Sequence, residues 1–303
     1  MRAAMGFCDD IRSGCARVAG RARDVRVVED AIRAYARTLP AASPPAPDLA
    51  PGTPDEARAA FGLQLNAVNF GSGWFPTLRK PPGLSGFRTV ESALRAHGPW
   101  PAEELAAVDA REVAVVFGQD PSHELMALFA RALRELGGHV ASEHGGEFLA
   151  LARSGAGSAE ALAARLATLP MWHDVSIHDG EPVPLYKRAQ LAAADLHLQG
   201  LAPARDLPSL TLFADNLVPH VLRLDGVLEL ELELVARIER EELLEHGSPE
   251  EVEVRACAVH AVELLVAAHG GTTATAVDNV LWHRGAGARY KARPRHRSRT
   301  TAY

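Results

Sequence analysis

Asp215 stands between the apolar run LTLFA and the sequence NLVP, where one element ends and the next begins. A carboxylate so placed can accept the free N–H groups at the start of a helix over NLVPHVL. It can equally face a pocket and offset positive charge developing on a substrate carbon, electrostatically or as a nucleophile. The residues alone leave both roles open. Lys187 and Arg188 are adjacent cations on a helical pattern. They point roughly 100° apart, so one of them can face a phosphate while the other serves elsewhere, or both can be solvated. Asp278 lies in VDNVLW, flanked by Val277 and Val280 and four residues before Trp282. That setting makes it a partly buried carboxylate in need of partners or the cap of a helix after GGTTATAV. Glu263, in the apolar AVELL, reads as a buried structural carboxylate paired with Arg255 two turns earlier.

Other chemistry is thinly represented. The thirteen histidines are scattered; the pairs His139 with His144 and His173 with His178 are the only hints of metal-ligand spacing. His123 and Glu124 lack the second histidine of a zinc-protease helix, and there is no phosphate-binding P-loop. GAGSAE, residues 155–160, lacks the third glycine of a dinucleotide fingerprint, and no nucleophile elbow occurs. Cys8, Cys15 and Cys257 form no disulfide or metal pattern, which fits a reducing cytoplasm. No apolar stretch approaches the roughly 18 residues of a membrane span, and no signal peptide opens the chain. The net charge of −6 disfavours general nucleic-acid binding. The exception is local: residues 283–299, HRGAGARYKARPRHRSR, carry seven Lys or Arg and no acid.

The elements that must position these residues read as mainly helical. Val25, Val28, Ile32, Tyr35 and Leu39 fall at helical spacing, and residues 41–52 form a proline-rich linker or surface strap. Thr53, Pro54 and Glu56 have the order of a capping box. Asp120–Pro121 opens a helix carrying Leu125, Phe129, Ala132 and Leu136 that Gly137–Gly138 would end. Ser158 caps another, KRAQLAAADLHLQG runs to Gly200, and Ser248, Pro249 and Glu251 open one that continues to Gly270. EVAVVFG (residues 112–118) and DVSIHDG (residues 174–180) are strand-like. VLELELEL (residues 227–234) alternates like a strand but continues into a helical pattern, and is assigned to a long helix through Ile238. The expected fold is mainly α, a helical bundle with at most two or three short strands. It forms a single domain over 1–303, with a possible division into lobes near residues 1–150 and 151–303.

Several blocks, in the right order, resemble the queuosine salvage protein family. LTLFADNLVPHVLRLDGVL (residues 210–228) is similar to its LTxFADYxxPQxLxxxGxL, and LYKRAQLAAADL (residues 185–196) to its KRAQ helix. GSPEEVEVRACAVHAVELL (residues 247–265) is similar to GSxxExEIRAxxxxAVExL. VDNVLWHRG and the terminal HRSRTTAY resemble its last blocks, and LNAVNFGSGWFP its LNF block. The resemblance implies an all-helical fold like that of DNA glycosylases and release of queuine from queuosine 5′-monophosphate. It implies no metal or organic cofactor. A small nucleotide as partner, no stable nucleic-acid complex, no membrane and a cytoplasmic location are expected; the sequence leaves the oligomeric state open, with a monomer favoured. It implies Asp215 as the catalytic carboxylate, Phe213 as a base-stacking ring and Asp278 as a base contact. Asn279 and His283 stand where the pattern has Tyr and Asp, Asn216 where it has Tyr, and His220 where it has Gln. Residues 41–55 contain no His, where relatives of the eukaryotic type carry a base-contacting one. Lys187 and Arg188 are the expected phosphate contacts.

Cleavage of an N-glycoside builds oxocarbenium-like charge on the sugar, which a carboxylate beneath that carbon offsets. Queuine is a 7-deazaguanine, so protonation at N7 is closed to it, and more of the work falls on the carboxylate and on hydrogen bonds to the base. The alternative is a non-catalytic module that binds a modified nucleoside or tRNA on a glycosylase-like fold. The basic segment favours that reading and Asp215 the enzyme. A DNA glycosylase proper is disfavoured by the net charge and by the missing helix-hairpin-helix signature.

Overall fold

The computed structural model describes residues 6–40 and 52–303; the linker read at 41–52 falls, but for its last residue, outside them. Helices dominate. In chain order they are α1 (Phe7–Ala19), α2 (Glu29–Ala36), α3 (Asp55–Ala67), α4 (Gly86–His97), α5 (Ala102–Leu105), α6 (Ala110–Val116), α7 (Glu124–Glu143), α8 (Phe148–Arg153), α9 (Ala159–Leu166), α10 (Lys187–Leu198), α11 (Leu217–Leu224), α12 (Leu232–Glu239), α13 (Pro249–His269), α14 (Ala274–Arg284) and α15 (Ala288–Lys291). Four short strands, β1 (Val25–Val27), β2 (Val175–His178), β3 (Glu181–Pro184) and β4 (Leu228–Leu230), form two separate antiparallel pairs, β1 with β4 and β2 with β3. The mainly α expectation holds, with four short strands among the described residues where at most two or three were expected.

The extra pair comes from two stretches assigned to helix. Residues 25–27 and 228–230 pair with each other, Val25 opposite Leu230 and Val27 opposite Leu228. The helical patterns around them start only at Glu29 and Leu232. Alternation over LEL is a strand because a partner strand is there to receive it. The reverse error occurs at EVAVVFG. Asp109 accepts from the backbone N–H of Arg111 and Glu112, and Glu112 returns a bond to the Asp109 N–H, a full capping box that starts α6 and overrides the β-like composition.

The chain folds as two compact units. The first comprises the described residues within Met1–Pro45, with Asp174–Lys187 and Asp206–Arg299. Its axis is α13, which packs against α1, α2, α11, α14 and β1. The start of α13 is as read: Ser248 accepts from the Glu251 N–H, Pro249 occupies the first turn, and Gly270 closes the helix in the left-handed conformation at φ 71°. Its neighbours bury most of its first half, and Cys15, Val183, Leu212, Val221, Val259 and Leu281 belong to one continuous core.

The second unit comprises Ala46–His173, Arg188–Arg205 and Thr300–Tyr303, within the described residues. In it α7 packs against α3, α5 and α6. This helix runs through Gly137–Gly138 instead of ending there, and its N-cap is His123, not Asp120. A Cβ on Gly137 would lie 2.5 Å from the Ala106 nitrogen and 2.8 Å from the Ala102 carbonyl oxygen. The glycine is therefore a contact surface for α5, not a stop signal. At α3 the residue before the helix is Pro54, without a side-chain cap. Glu56 instead accepts from the N–H groups of Phe148 and Leu149 and so caps α8. Ser158 caps α9 as read.

Gly137→Ala is expected to destabilise the protein by about 1–3 kcal/mol through overpacking against main chain. Gly138→Ala, with open space around its Cβ, is expected to be neutral or to stabilise by up to about 1 kcal/mol from helix propensity. Urea denaturation of the two variants checks the pair; equal effects would show that α5 does not press on Gly137.

Candidate active site

The first unit brings Asp215, Phe213 and Asp278 together. The Phe213 N–H donates to Asp278 Oδ1 at 3.3 Å, so the segment ahead of Asp215 is tied to the middle of α14. Asp278 is 8% exposed. It is not a cap, because Thr273 caps α14 through the Ala276 N–H. Asp215 does contribute the capping bonds expected of it: Oδ1 accepts from the Leu217 N–H at 2.7 Å and the Val218 N–H at 3.2 Å. Its other oxygen, Oδ2, makes no hydrogen bond among the described residues. One oxygen thus orients the carboxylate on α11, and the other is without a hydrogen bond among the described residues.

Behind this segment lies a buried ion pair that sequence reading assigned wrongly. Arg255 does not meet Glu263; it meets Asp174. The guanidinium donates to Asp174 Oδ1 at 3.0 Å and Oδ2 at 2.7 Å, and its Nε donates to the Ala214 carbonyl at 3.0 Å. The side chains are 0% and 3% exposed. Asp174 also holds the chain leading to Lys187. Its carbonyl accepts from the N–H groups of Leu185 and Tyr186, and Oδ2 accepts from the Lys187 N–H at 3.1 Å. Tyr186 adopts φ 48°, a conformation disfavoured for a side chain of this size, and these bonds hold it there. Glu263 pairs instead with Arg12 at 3.0 Å, and Arg12 also donates to the Ser209 carbonyl.

The other expected residues are placed as follows. Phe213 is buried, Asn279 is half-buried with an enclosed Oδ1 that makes no hydrogen bond, and His283 is exposed against the Trp282 ring. Lys187 is buried at the first position of α10. Arg188 belongs to the second unit. Its guanidinium lies over Phe70 and Trp172 and donates to the carbonyls of Ala67, at 2.6 Å, and Met171. Of the histidine pairs, His178 is engaged by Glu253 at 3.0 Å, and His139 and His144 meet edge to face. No group of three or more His, Cys, Asp or Glu among the described residues is placed to hold a metal ion, and no helix among them is long and apolar enough to cross a membrane.

The sequence profile of the family described as "Queuosine salvage protein" matches residues 87–303. The chain belongs to the queuosine salvage family. It is 35% identical over 265 residues to the queuosine 5′-phosphate N-glycosylase/hydrolase of Sphaerobacter thermophilus, covering 82% of each chain. It is 31% identical over 259 residues to the protein of that name from Dictyostelium discoideum, covering 82% of this chain and 79% of the relative. The cattle protein of the same name is 35% identical over 45% of this chain and 41% of its own length. Every block of the resemblance except LNAVNFGSGWFP falls within the matched residues.

Two departures from the queuosine salvage pattern have structural work in this chain. Asn216 Nδ2 donates to the His296 carbonyl at 3.1 Å, which ties the terminal basic segment beside Asp215. His220 Nε2 donates to the Tyr290 carbonyl at 2.9 Å, and burial holds its imidazole below the usual histidine range. Beyond them, burial, partly offset by Glu251 and reinforced by Arg255, pushes the His296 imidazole down to about 3. Burial would raise Glu251, but the His246 hydrogen bond and the Arg255 charge outweigh it and hold the carboxyl at about 2.

Two consequences are measurable. Asp174→Asn or Arg255→Met, each leaving a buried charge without its partner, is expected to cost about 3–5 kcal/mol of stability. Urea unfolding at pH 7 checks this, and a loss below about 1 kcal/mol would mean the pair is dispensable. The second concerns acid. The unfolded chain protonates His296 near 6.5 and the folded one only near 3. The unfolded state therefore binds more protons between these values, and stability falls as pH drops through that window. Glu251, at 4.5 unfolded and about 2 folded, adds its own loss only below pH 4.5. Between pH 6.5 and 4.5, His296→Gln is expected to show a shallower fall than wild type, by up to about 1.4 kcal/mol per pH unit. Identical slopes would mean that folding does not hold His296 neutral.

Proposed function

We propose that this chain hydrolyses the N-glycosidic bond of queuosine 5′-monophosphate, or of a closely related 7-deazaguanine nucleotide, and releases the free base. Family membership supports the reading. The observation that carries it is the Asp215 carboxylate, with one oxygen locked by α11 and the other without a hydrogen bond. In the proposed reaction the bond between the sugar C1′ and the base nitrogen breaks, and positive charge spreads over C1′ and the ring oxygen. Asp215 Oδ2 stabilises that charge. A water oxygen adds to C1′, and its proton ends on the departing base nitrogen.

The remaining roles follow from placement and family resemblance. Phe213 stacks on the base. Asp278 accepts from the adjacent N1–H and N2 amino donors of the guanine-like edge, a task suited to one carboxylate. Asn279 and His283, on the same helix, face the 7-substituent side. Lys187 is the phosphate contact of the adjacent cations, and Arg188, whose donors go to carbonyls, braces the first turn of α10 from its own unit. The partner is a small nucleotide, and the place of action is the cytoplasm.

The test is incubation of the purified protein with queuosine 5′-monophosphate and detection of free queuine by mass spectrometry. Tight binding without product would favour the binding-module reading. Asp215→Asn keeps the shape and loses the charge, so kcat is expected to fall on the order of 10²–10⁴-fold with ligand binding retained. Wild-type turnover by that variant would remove Asp215 from the mechanism.

A further inference from the structure

The glycine that closes α14 is not a backbone requirement. Gly285 has φ −61° and ψ −16°, values open to any residue. Gly270, which closes α13 in the left-handed conformation, is the opposite case. At Gly285 the constraint is space. A Cβ there would lie 2.7 Å from Leu217 Cδ1, 2.9 Å from Cγ and 3.1 Å from Cδ2. These distances are inside the roughly 3.5–4.0 Å at which carbon atoms pack. The Leu217 side chain therefore fills the volume that a side chain at position 285 would need.

Leu217 is also the residue whose N–H makes the shorter bond to Asp215 Oδ1, 2.7 Å against 3.2 Å from Val218. Its main chain orients the carboxylate while its side chain lies on Gly285. Both partners of this contact are held. Helix α14 is tied near its middle by the bond from the Phe213 N–H to Asp278 Oδ1, at 3.3 Å. At its last residue, Arg284 donates to Asp225 at 3.3 Å and to the Tyr35 hydroxyl at 2.7 Å, and Asp225 is the residue that closes α11. Leu217 is half-buried and packed against the core of the first unit. Asn216, just before it, donates to the His296 carbonyl. A methyl group added at position 285 cannot push α14 away without breaking these ties, so it presses on Leu217.

We infer that Leu217 and Gly285 are positioning residues, and that their contact sets where the Asp215 carboxylate lies. The inference rests on the proposed function and deepens it. The missing side chain at position 285 lets the end of α14 approach the first turn of α11, and the Leu217 side chain fixes the spacing between them. That spacing places the Leu217 N–H, and with it Asp215 Oδ1. In the proposed reaction Asp278, on the same α14, reads the base, so the contact also keeps the base-reading helix in register with the carboxylate that meets the sugar. Such register is demanding: a misplacement of about 1 Å at a reacting group costs on the order of 10² in rate.

Two measurements test this. The first is a double-mutant cycle in steady-state kinetics with queuosine 5′-monophosphate. Gly285→Ala should lower kcat roughly tenfold or more and leave KM within about threefold. Leu217→Ala removes all three crowded carbons, so in that background Gly285→Ala should cost less than about threefold. Unchanged kcat in Gly285→Ala, a loss carried in KM alone, or the same loss with and without the Leu217 side chain overturns the inference. The second is amide hydrogen exchange, which does not depend on turnover. The Leu217 N–H lies in the first turn of α11, where helices offer no internal acceptor, and is protected by Asp215. Gly285→Ala should speed its exchange by roughly tenfold, while the amide of Val259, in the core, keeps its wild-type rate. Equal exchange at Leu217 in wild type and variant overturns the inference, as does an acceleration that Val259 shares. Absence of base release by wild type refutes the proposed hydrolysis, and the exchange rates then decide the positioning contact by themselves.

Discussion

The Asp174–Arg255 pair is the interaction on which the site depends. One residue grips the main chain before Lys187 by three successive N–H groups, and the other grips the carbonyl immediately before Asp215. The bidentate contact between them makes two segments distant in sequence a single rigid piece. A buried ion pair is a poor source of stability when compared with apolar side chains of equal volume. Its justification here is positional. Apolar packing can fill the space, but it cannot fix where a carbonyl and three N–H groups point.

The same logic extends along α13. Glu251, Glu253 and Arg255 are all buried, so each of these charges has to be matched. Glu253 accepts from His178 and from the backbone N–H groups of Arg23 and Asp24. Glu251 is held by His246 and the Gly247 N–H, with Arg255 at 3.8 Å. These partners come from the start of the first unit, from its β2 strand and from the turn before α13. The first three turns of this largely buried helix therefore organise their surroundings through polar anchors as well as through apolar packing.

This is also where the sequence was hardest to read. Helix starts and stops that rest on local chemistry, such as Ser158, Ser248 with Pro249, and Gly270, were legible because the bonds that make them span three or four residues. The strand at 228–230 and the glycine at 137 were not, because a partner some 200 residues away decides one and the pressure of α5 decides the other. In the site the pattern repeats. Asp215 and Asp278 stand out by type and flanking residues. Arg255 was visible as a buried charge, but its partner was sought two turns along its own helix, where Glu263 offered the nearest opposite sign. Nothing local points to Asp174, which lies 81 positions earlier.

The two readings of Asp215, helix cap or reacting carboxylate, are compatible because of how the cap is made. Two N–H groups converge on one oxygen and leave the other untouched. They fix the plane of the carboxylate and hence the direction of the other oxygen. The Arg255 bond to the preceding carbonyl removes the remaining freedom by holding the main chain from the opposite side. A carboxylate that must meet charge developing on a sugar carbon gains from being oriented before the substrate arrives, since nothing then has to reorganise at the transition state. The helix that engages one oxygen thus sets the direction of the other.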